Sequence, residues 1–132
     1  MRQLLFEIKE NRKIAKNTYE CVLSGDVSDI TAPGQFVNIK LEGLFLRRPI
    51  SVCEVSGNVL TIVYKVVGSG TEQMSQMSCG EKLDILTGLG NGYNLELAGE
   101  RPVLLGGGVG VPPMYELAQR LIAMGKEVKV IL

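Results

Sequence analysis

The first ninety residues alternate apolar and polar positions with a period of two. Leu4, Phe6 and Ile8 alternate with Leu5, Glu7 and Lys9. Tyr19, Cys21 and Leu23 alternate with Thr18, Glu20 and Val22. The same pattern recurs at Val37, Ile39 and Leu41, at Leu60, Ile62, Tyr64 and Val66, and at Leu83 and Ile85. This period places one side of each segment in a core and the other toward water, as in half-buried antiparallel strands. Turn residues separate the segments: Ser24-Gly25-Asp26, Ala32-Pro33-Gly34 and Ser56-Gly57-Asn58. About six short strands at this spacing predict a small barrel or sandwich. One short helix is predicted among them. Ser69 and Glu72 have capping-box spacing, which sets a helix start near Gly70.

The pattern changes after Gly99. Pro102–Leu105 reads as an apolar strand, Gly106-Gly107-Gly108-Val109-Gly110 as a tight loop, and Pro112-Pro113 as the opening of a helix. Met114, Leu117, Ala118, Leu121 and Ile122 fall on one helical face. Gly125 ends the helix, and Val128–Leu132 reads as a second apolar strand. The unit is β-α-β, which requires a parallel pair. Two parallel strands and one helix cannot cover both faces of a sheet, so the chain reads as a piece of a longer protein. Residues 1–99 and 100–132 are the expected domains. The last strand is expected to present an unpaired apolar edge prone to self-association.

Composition narrows the chemistry. The 132 residues are 45% hydrophobic and 21% charged, enough for a packed core. Fourteen Lys and Arg balance fourteen Asp and Glu, which leaves no basic excess for a nucleic-acid backbone. Histidine is absent, which excludes Ser–His and Cys–His catalysis, histidine proton shuttles and histidine-ligated metals. Cys21, Cys53 and Cys79 are odd in number and widely spaced, unlike a disulfide framework or a zinc site. They read as small buried thiols of a reducing compartment. The most apolar stretch, Pro102–Met114, is short and broken by glycine and proline, and Glu7 interrupts the N-terminal apolar run. A soluble cytoplasmic protein is expected.

Three segments carry candidate chemistry. The glycine loop brings backbone donors toward an anion or cofactor, but G-x-G-x-x-G fails because Val111 stands at the third position. The same loop serves equally as a strand-to-helix turn with no ligand. In Arg47-Arg48-Pro49-Ile50-Ser51-Val52, an arginine beside a strand can hold a phosphate bidentately and a serine can hydrogen-bond a ring nitrogen; a solvated arginine is the plain alternative. In Val63-Tyr64-Lys65 and Gly68-Ser69-Gly70-Thr71, the tyrosine suits a core as well as a cofactor. The helix start is the natural seat for a phosphate.

Taken in order, Arg48-Pro49-Ile50-Ser51, Val63-Tyr64-Lys65, Gly70-Thr71, Gly88-Leu89-Gly90-Asn91-Gly92-Tyr93 and Gly106–Pro113 resemble ferredoxin-reductase-like flavoproteins. Within them the chain is most similar to the electron-transfer subunits of NAD-dependent, type B dihydroorotate dehydrogenases. The resemblance runs from about Leu4 to Leu132. It implies a mainly β fold: a six-stranded antiparallel FAD-binding barrel, then the first β-α-β unit of an incomplete α/β NAD-binding domain. By that resemblance Arg48 binds the FAD pyrophosphate, while Pro49, Ile50 and Ser51 run along the isoalloxazine. Val63, Tyr64 and Lys65 contact the ribityl and adenosine side, and Gly70 and Thr71 give backbone donors to the pyrophosphate. Gly106, Gly107, Gly108, Val109 and Gly110 let the nicotinamide approach the flavin.

The implied role is an FAD-dependent oxidoreductase subunit of pyrimidine biosynthesis, not active alone as this piece. An FMN-containing catalytic subunit oxidises dihydroorotate in a heterotetramer, and electrons pass through a 2Fe-2S cluster and FAD to NAD. The ligands of that cluster are absent from this chain, and its NAD site is partial. Other members of the superfamily, of the sulfide dehydrogenase or NADPH-ferredoxin oxidoreductase type, share the motifs. A barrel acting only as an interaction module is the reading outside enzymology.

Overall fold

In a computed structural model that describes all 132 residues, six antiparallel strands close into a barrel. They are β1 (Arg2–Ala15), β2 (Thr18–Ser24), β3 (Phe36–Lys40), β4 (Arg48–Ser56), β5 (Val59–Lys65) and β6 (Lys82–Leu89). Their spatial order is β1-β2-β5-β4-β3-β6, with β6 returning to β1. Closure leaves no free sheet edge. The predicted apolar set lies inside: Phe6, Ile8, Cys21, Leu23, Val37, Ile39, Leu60, Ile62, Tyr64, Leu83 and Ile85 form one core. Each large aliphatic residue there contributes about 1.5–3 kcal/mol through burial.

Two strands depart from the sequence expectation. β4 has no clean alternation, because its core residues are Ile50, Val52 and Val55. A register shift between Val52 and Glu54 accounts for the extra residue. A bulge of this kind breaks the period of two and bends the strand. β1 runs to Ala15, well beyond the alternating stretch. Its second half, Asn11–Ala15, is largely exposed and is held by pairing with β2. The hairpin turns at Asn17, whose φ of 53° is tolerated by a short polar side chain.

Helix α1 (Ser69–Ser75) packs its buried Met74 into the barrel core. The expected Ser69–Glu72 capping box is replaced by another device. Gly68 is the N-cap, and the Thr71 hydroxyl accepts from the backbone N–H of Val67 (2.9 Å) and Gly68 (3.3 Å). Thr71 sits one turn into the helix, so its hydroxyl reaches back where an exposed Ser69 does not.

After β6 the chain passes through a 3-10 turn (Leu95–Leu97) into β7 (Val103–Leu105), then through a second 3-10 turn (Gly108–Gly110) into α2 (Pro112–Ala123) and on to β8 (Lys129–Ile131). β7 and β8 pair in parallel, Leu104 opposite Val130. Leu104, Leu117 and Leu121 form a second, small core. Ile122, expected on the buried face, is 60% exposed instead. The helix ends at Gly125 (φ 80°), where the N–H of Gly125 bonds Ile122 O and that of Lys126 bonds Leu121 O. This is a Schellman ending. Val103, Leu105, Val130 and Ile131 remain exposed on the two-stranded sheet. No helix is long and apolar enough to cross a membrane.

Candidate functional site

β4 and β5 are barrel strands joined by the turn at Gly57, and α1 follows β5 directly. This connectivity brings three separate sequence segments to one side of the barrel. Between them lies a cavity of about 350 Å³ lined by Arg48, Pro49, Ile50, Ser51, Val63, Tyr64, Lys65, Val67, Thr71 and Val109. Two cations line it and no carboxylate does. Such a lining favours an anionic ligand with an apolar body.

Gly70 does not itself line the cavity, but it abuts Arg48, which does. A β-carbon on Gly70 would fall 2.3 Å from Arg48 Nε and 2.9 Å from its Cγ. Glycine therefore lets the arginine stem lie against the start of α1. The Arg48 guanidinium donates to the carbonyl oxygen of Leu46. The first intrahelical bond of α1 is Glu72 N–H to Gly68 O, so the N–H groups of Ser69, Gly70 and Thr71 have no acceptor within the helix. Backbone donors and a guanidinium thus lie side by side, an arrangement that can chelate a phosphate group.

The double arginine divides its work. Arg47 donates to the carbonyl oxygens of Asn38 and Asp84 (both 3.2 Å) and pairs with the Asp84 carboxylate at 3.0 Å. It ties β3 to β6 and is absent from the cavity wall, whereas Arg48 lines it.

Tyr64 borders the cavity and also belongs to the core, as its place in the alternation predicts. Its side chain is 1% exposed and part of the barrel core. Its hydroxyl donates to Asn11 Oδ1 (2.9 Å), and its ring stacks on Tyr19 at 5.7 Å. Asn11 in turn donates to the carbonyl oxygens of Met74 and Met77 at the end of α1. Burial pushes the phenol well above its ordinary range. The strand signal was sound, but a ring on the inward phase of β5 cannot also stack on a ligand outside the barrel.

The glycine loop reaches the cavity only through Val109. Gly106, Gly107, Gly108 and Gly110 do not line it. Gly106 is tight, since a β-carbon would lie 3.1 Å from Gly110 O and 3.3 Å from Met114 Cγ. Open space surrounds Gly107, Gly108 and Gly110, and Gly108 needs its positive φ of 56°. Val67 was missed by sequence reasoning, because a single exposed valine after a strand carries no signal; it forms part of the cavity wall.

The cysteines stand apart from the cavity. Cys21 is buried in the barrel core, which pushes its thiol up to about 12. Cys53 is half-buried on β4, and desolvation pushes it up to about 11. Cys79 is exposed. No three Cys, Asp or Glu side chains converge as a metal site.

Similarity to known proteins agrees with this geometry. The chain is 47% identical over 129 residues to the dihydroorotate dehydrogenase B (NAD(+)) electron transfer subunit of Bacillus mycoides, covering 92% of this chain and 50% of that protein. It is 44% identical to the subunit of the same name from a Geobacillus species, covering 95% of this chain and 52% of that one. The chain is similar to these electron transfer subunits along nearly its whole length. It spans about half the length of the curated relatives it matches. No protein-family model matches it. Among solved structures, the NADH-dependent reduced ferredoxin-NADP oxidoreductase superposes with a TM-score of 0.87 at 30% identity, covering 95% of this chain and 46% of that one. Phthalate dioxygenase reductase, at 22% identity and a TM-score of 0.83 over 97% of this chain and 42% of its own, shares the fold. This similarity and these neighbours agree with the mainly β, ferredoxin-reductase-like architecture expected from the motif order.

Proposed function

We propose that this chain holds FAD in the electron transfer subunit of an NAD-dependent dihydroorotate dehydrogenase. Residues 1–99 form the FAD barrel, and residues 100–132 open an NAD-binding domain. The observation that carries the proposal is the cavity itself: a guanidinium, a lysine and a helix start stand around an apolar floor, with no carboxylate among them. FAD combines an anionic pyrophosphate with a flat, largely apolar ring, and the residues present fit that combination. When bound, it supplies hydride exchange with a nicotinamide and electron exchange with other redox centres.

Each residue has a defined task in this reading. Arg48 and the N–H groups of Gly70 and Thr71 bind the pyrophosphate. Pro49 and Ile50 give the ring an apolar seat and exclude water from one face. The Ser51 hydroxyl orients the ring by hydrogen bonding at its polar edge. Val63, Tyr64 and Lys65 contribute the β5 strand as a wall, with Lys65 adding positive charge. Val109 brings the glycine loop to the mouth, where Gly107, Gly108 and Gly110 leave room for a nicotinamide.

The partner in this reading is the dihydroorotate-oxidising, FMN-containing subunit, in a cytoplasmic heterotetramer. The three cysteines stand apart and do not fit a 2Fe-2S cluster, so no step through one is assigned to these residues.

The test is a titration of the purified chain with FAD, followed by visible absorbance and flavin fluorescence. A saturable, structured flavin spectrum is expected, followed by co-purification with a dihydroorotate-oxidising partner. A chain that takes up no FAD would overturn the reading. Uptake of FAD without recognition of that partner would move the chain to another flavin reductase.

A further inference from the structure

α2 packs along β4 and also reaches the segment that leads into β3. Tyr115 stands beside Cys53 and Glu54 of β4. Five residues on, Arg120 donates through Nη2 to Glu116 Oε1 (3.3 Å) and through Nη1 to the carbonyl oxygen of Thr31 (3.4 Å). Glu116 is a buried acid, with a side chain only 7% exposed. A carboxylate taken from water to that degree is tolerated only when paired. The guanidinium fork suits the task, because it can serve the carboxylate and the carbonyl together.

The segment that receives Arg120 is itself tied to the barrel by hydrogen bonds. Gln35 is buried, and its Oε1 accepts from the N–H of Thr31 (2.7 Å) and Ala32 (3.0 Å). Its Nε2 donates to Gly90 O (3.0 Å), and its backbone carbonyl accepts from Val52 N–H of β4 (3.1 Å). A polar chain therefore runs from α2 through Arg120, Thr31 and Gln35 to the strand that carries Ser51.

We propose that Arg120 is a positioning residue that clasps α2 to the barrel and so holds the glycine loop, with Val109, at the mouth of the cavity. The loop is continuous with the start of α2, so an angular change in the helix moves the loop with it. For its consequence on the flavin this inference rests on the FAD reading; the clasp itself does not.

Hydrogen–deuterium exchange of the chain and its Arg120→Ala variant tests the clasp without any ligand. The amides of Gly106, Gly110 and Val111 are protected by bonds to Ile131, Gly107 and Gly108. They are expected to exchange about fivefold faster in the variant, while β2 and β5 stay unchanged. With FAD added, iodide should quench the flavin fluorescence more strongly in the variant. Unchanged exchange over Gly106–Val111 would overturn the proposal. So would acceleration shared equally by β2 and β5, which marks general destabilisation. If the wild-type chain takes up no FAD, the cofactor reading fails while the exchange result still decides the clasp.

Discussion

Gly70 lies so close to Arg48 that a β-carbon there would fall 2.3 Å from the arginine Nε. The clash involves the stem of the side chain as well, with Cγ at 2.9 Å, so the arginine cannot escape by moving only its tip. The glycine is therefore part of how the arginine is aimed. Arg48→Ala should weaken FAD binding by about 1.5–3 kcal/mol, the range for a hydrogen bond to a charged group. Gly70→Ala should weaken it too, although alanine favours a helix by about 0.5–1 kcal/mol over glycine. The two losses should not add: in the Arg48→Ala background, Gly70→Ala should cost less than about 0.5 kcal/mol more. Titration of the four proteins with FAD closes this cycle. Fully additive losses would separate the glycine from the arginine.

Tyr64→Phe separates core from site. The hydroxyl is buried and serves Asn11, which in turn holds the end of α1. Removing it leaves Asn11 Oδ1 without that donor and should destabilise the fold by about 1–3 kcal/mol in urea unfolding. FAD affinity should stay the same, because the hydroxyl that is removed is committed to Asn11 within the core. A large loss of FAD affinity with unchanged stability would return the ring to the ligand.

These two residues show what the sequence made legible. The inward phase of five strands followed directly from alternation, and Tyr64 was readable as core on that ground alone. What a period cannot give is depth: Tyr64 sits in a cofactor-like tripeptide, yet its ring belongs to the core. β4 escaped the pattern because its bulge shifts the inward set from Val52 to Val55. The charged half of β1 escaped because pairing with β2, not burial, makes it a strand. The site motifs were legible as separate strings, and only the closure of the barrel brings β4, β5 and α1 around one cavity. Arg120 and Gln35 left no signal at all, since their partners are carbonyls and backbone N–H groups that every sequence contains.

The three thiols should differ sharply in reactivity. The thiolate is the nucleophile, so exposure and pKa act together. Cys79 is exposed and should be alkylated first by iodoacetamide at pH 8. Cys53 is half-buried with its thiol pushed up to about 11, and should react at least about tenfold more slowly. Cys21, pushed up to about 12 in the core, should react only when the chain unfolds. Peptide mapping after timed labelling gives the order. Early labelling of Cys21 in the folded chain would contradict its place in the barrel core.

Asp26 should give the fold a local acid response that can be isolated. The Asp26 carboxylate accepts from the Ser28 hydroxyl (2.7 Å) and the Ser28 backbone N–H (2.9 Å), and pairs with Arg2 at 3.0 Å. The Ser28 bonds first, and Arg2 after them, hold its pKa down to about 2. An unfolded aspartate titrates near 3.9. The folded state thus binds the proton less readily than the unfolded one, and Asp26 supports the fold fully above about pH 4. That support is lost as pH falls toward and through 2. Asp26→Asn removes the titration while keeping an acceptor for Ser28. Between pH 5 and pH 2.5 the urea midpoint of the wild type should therefore fall further than that of the variant. Equal falls in both proteins would show that this turn carries none of the acid response.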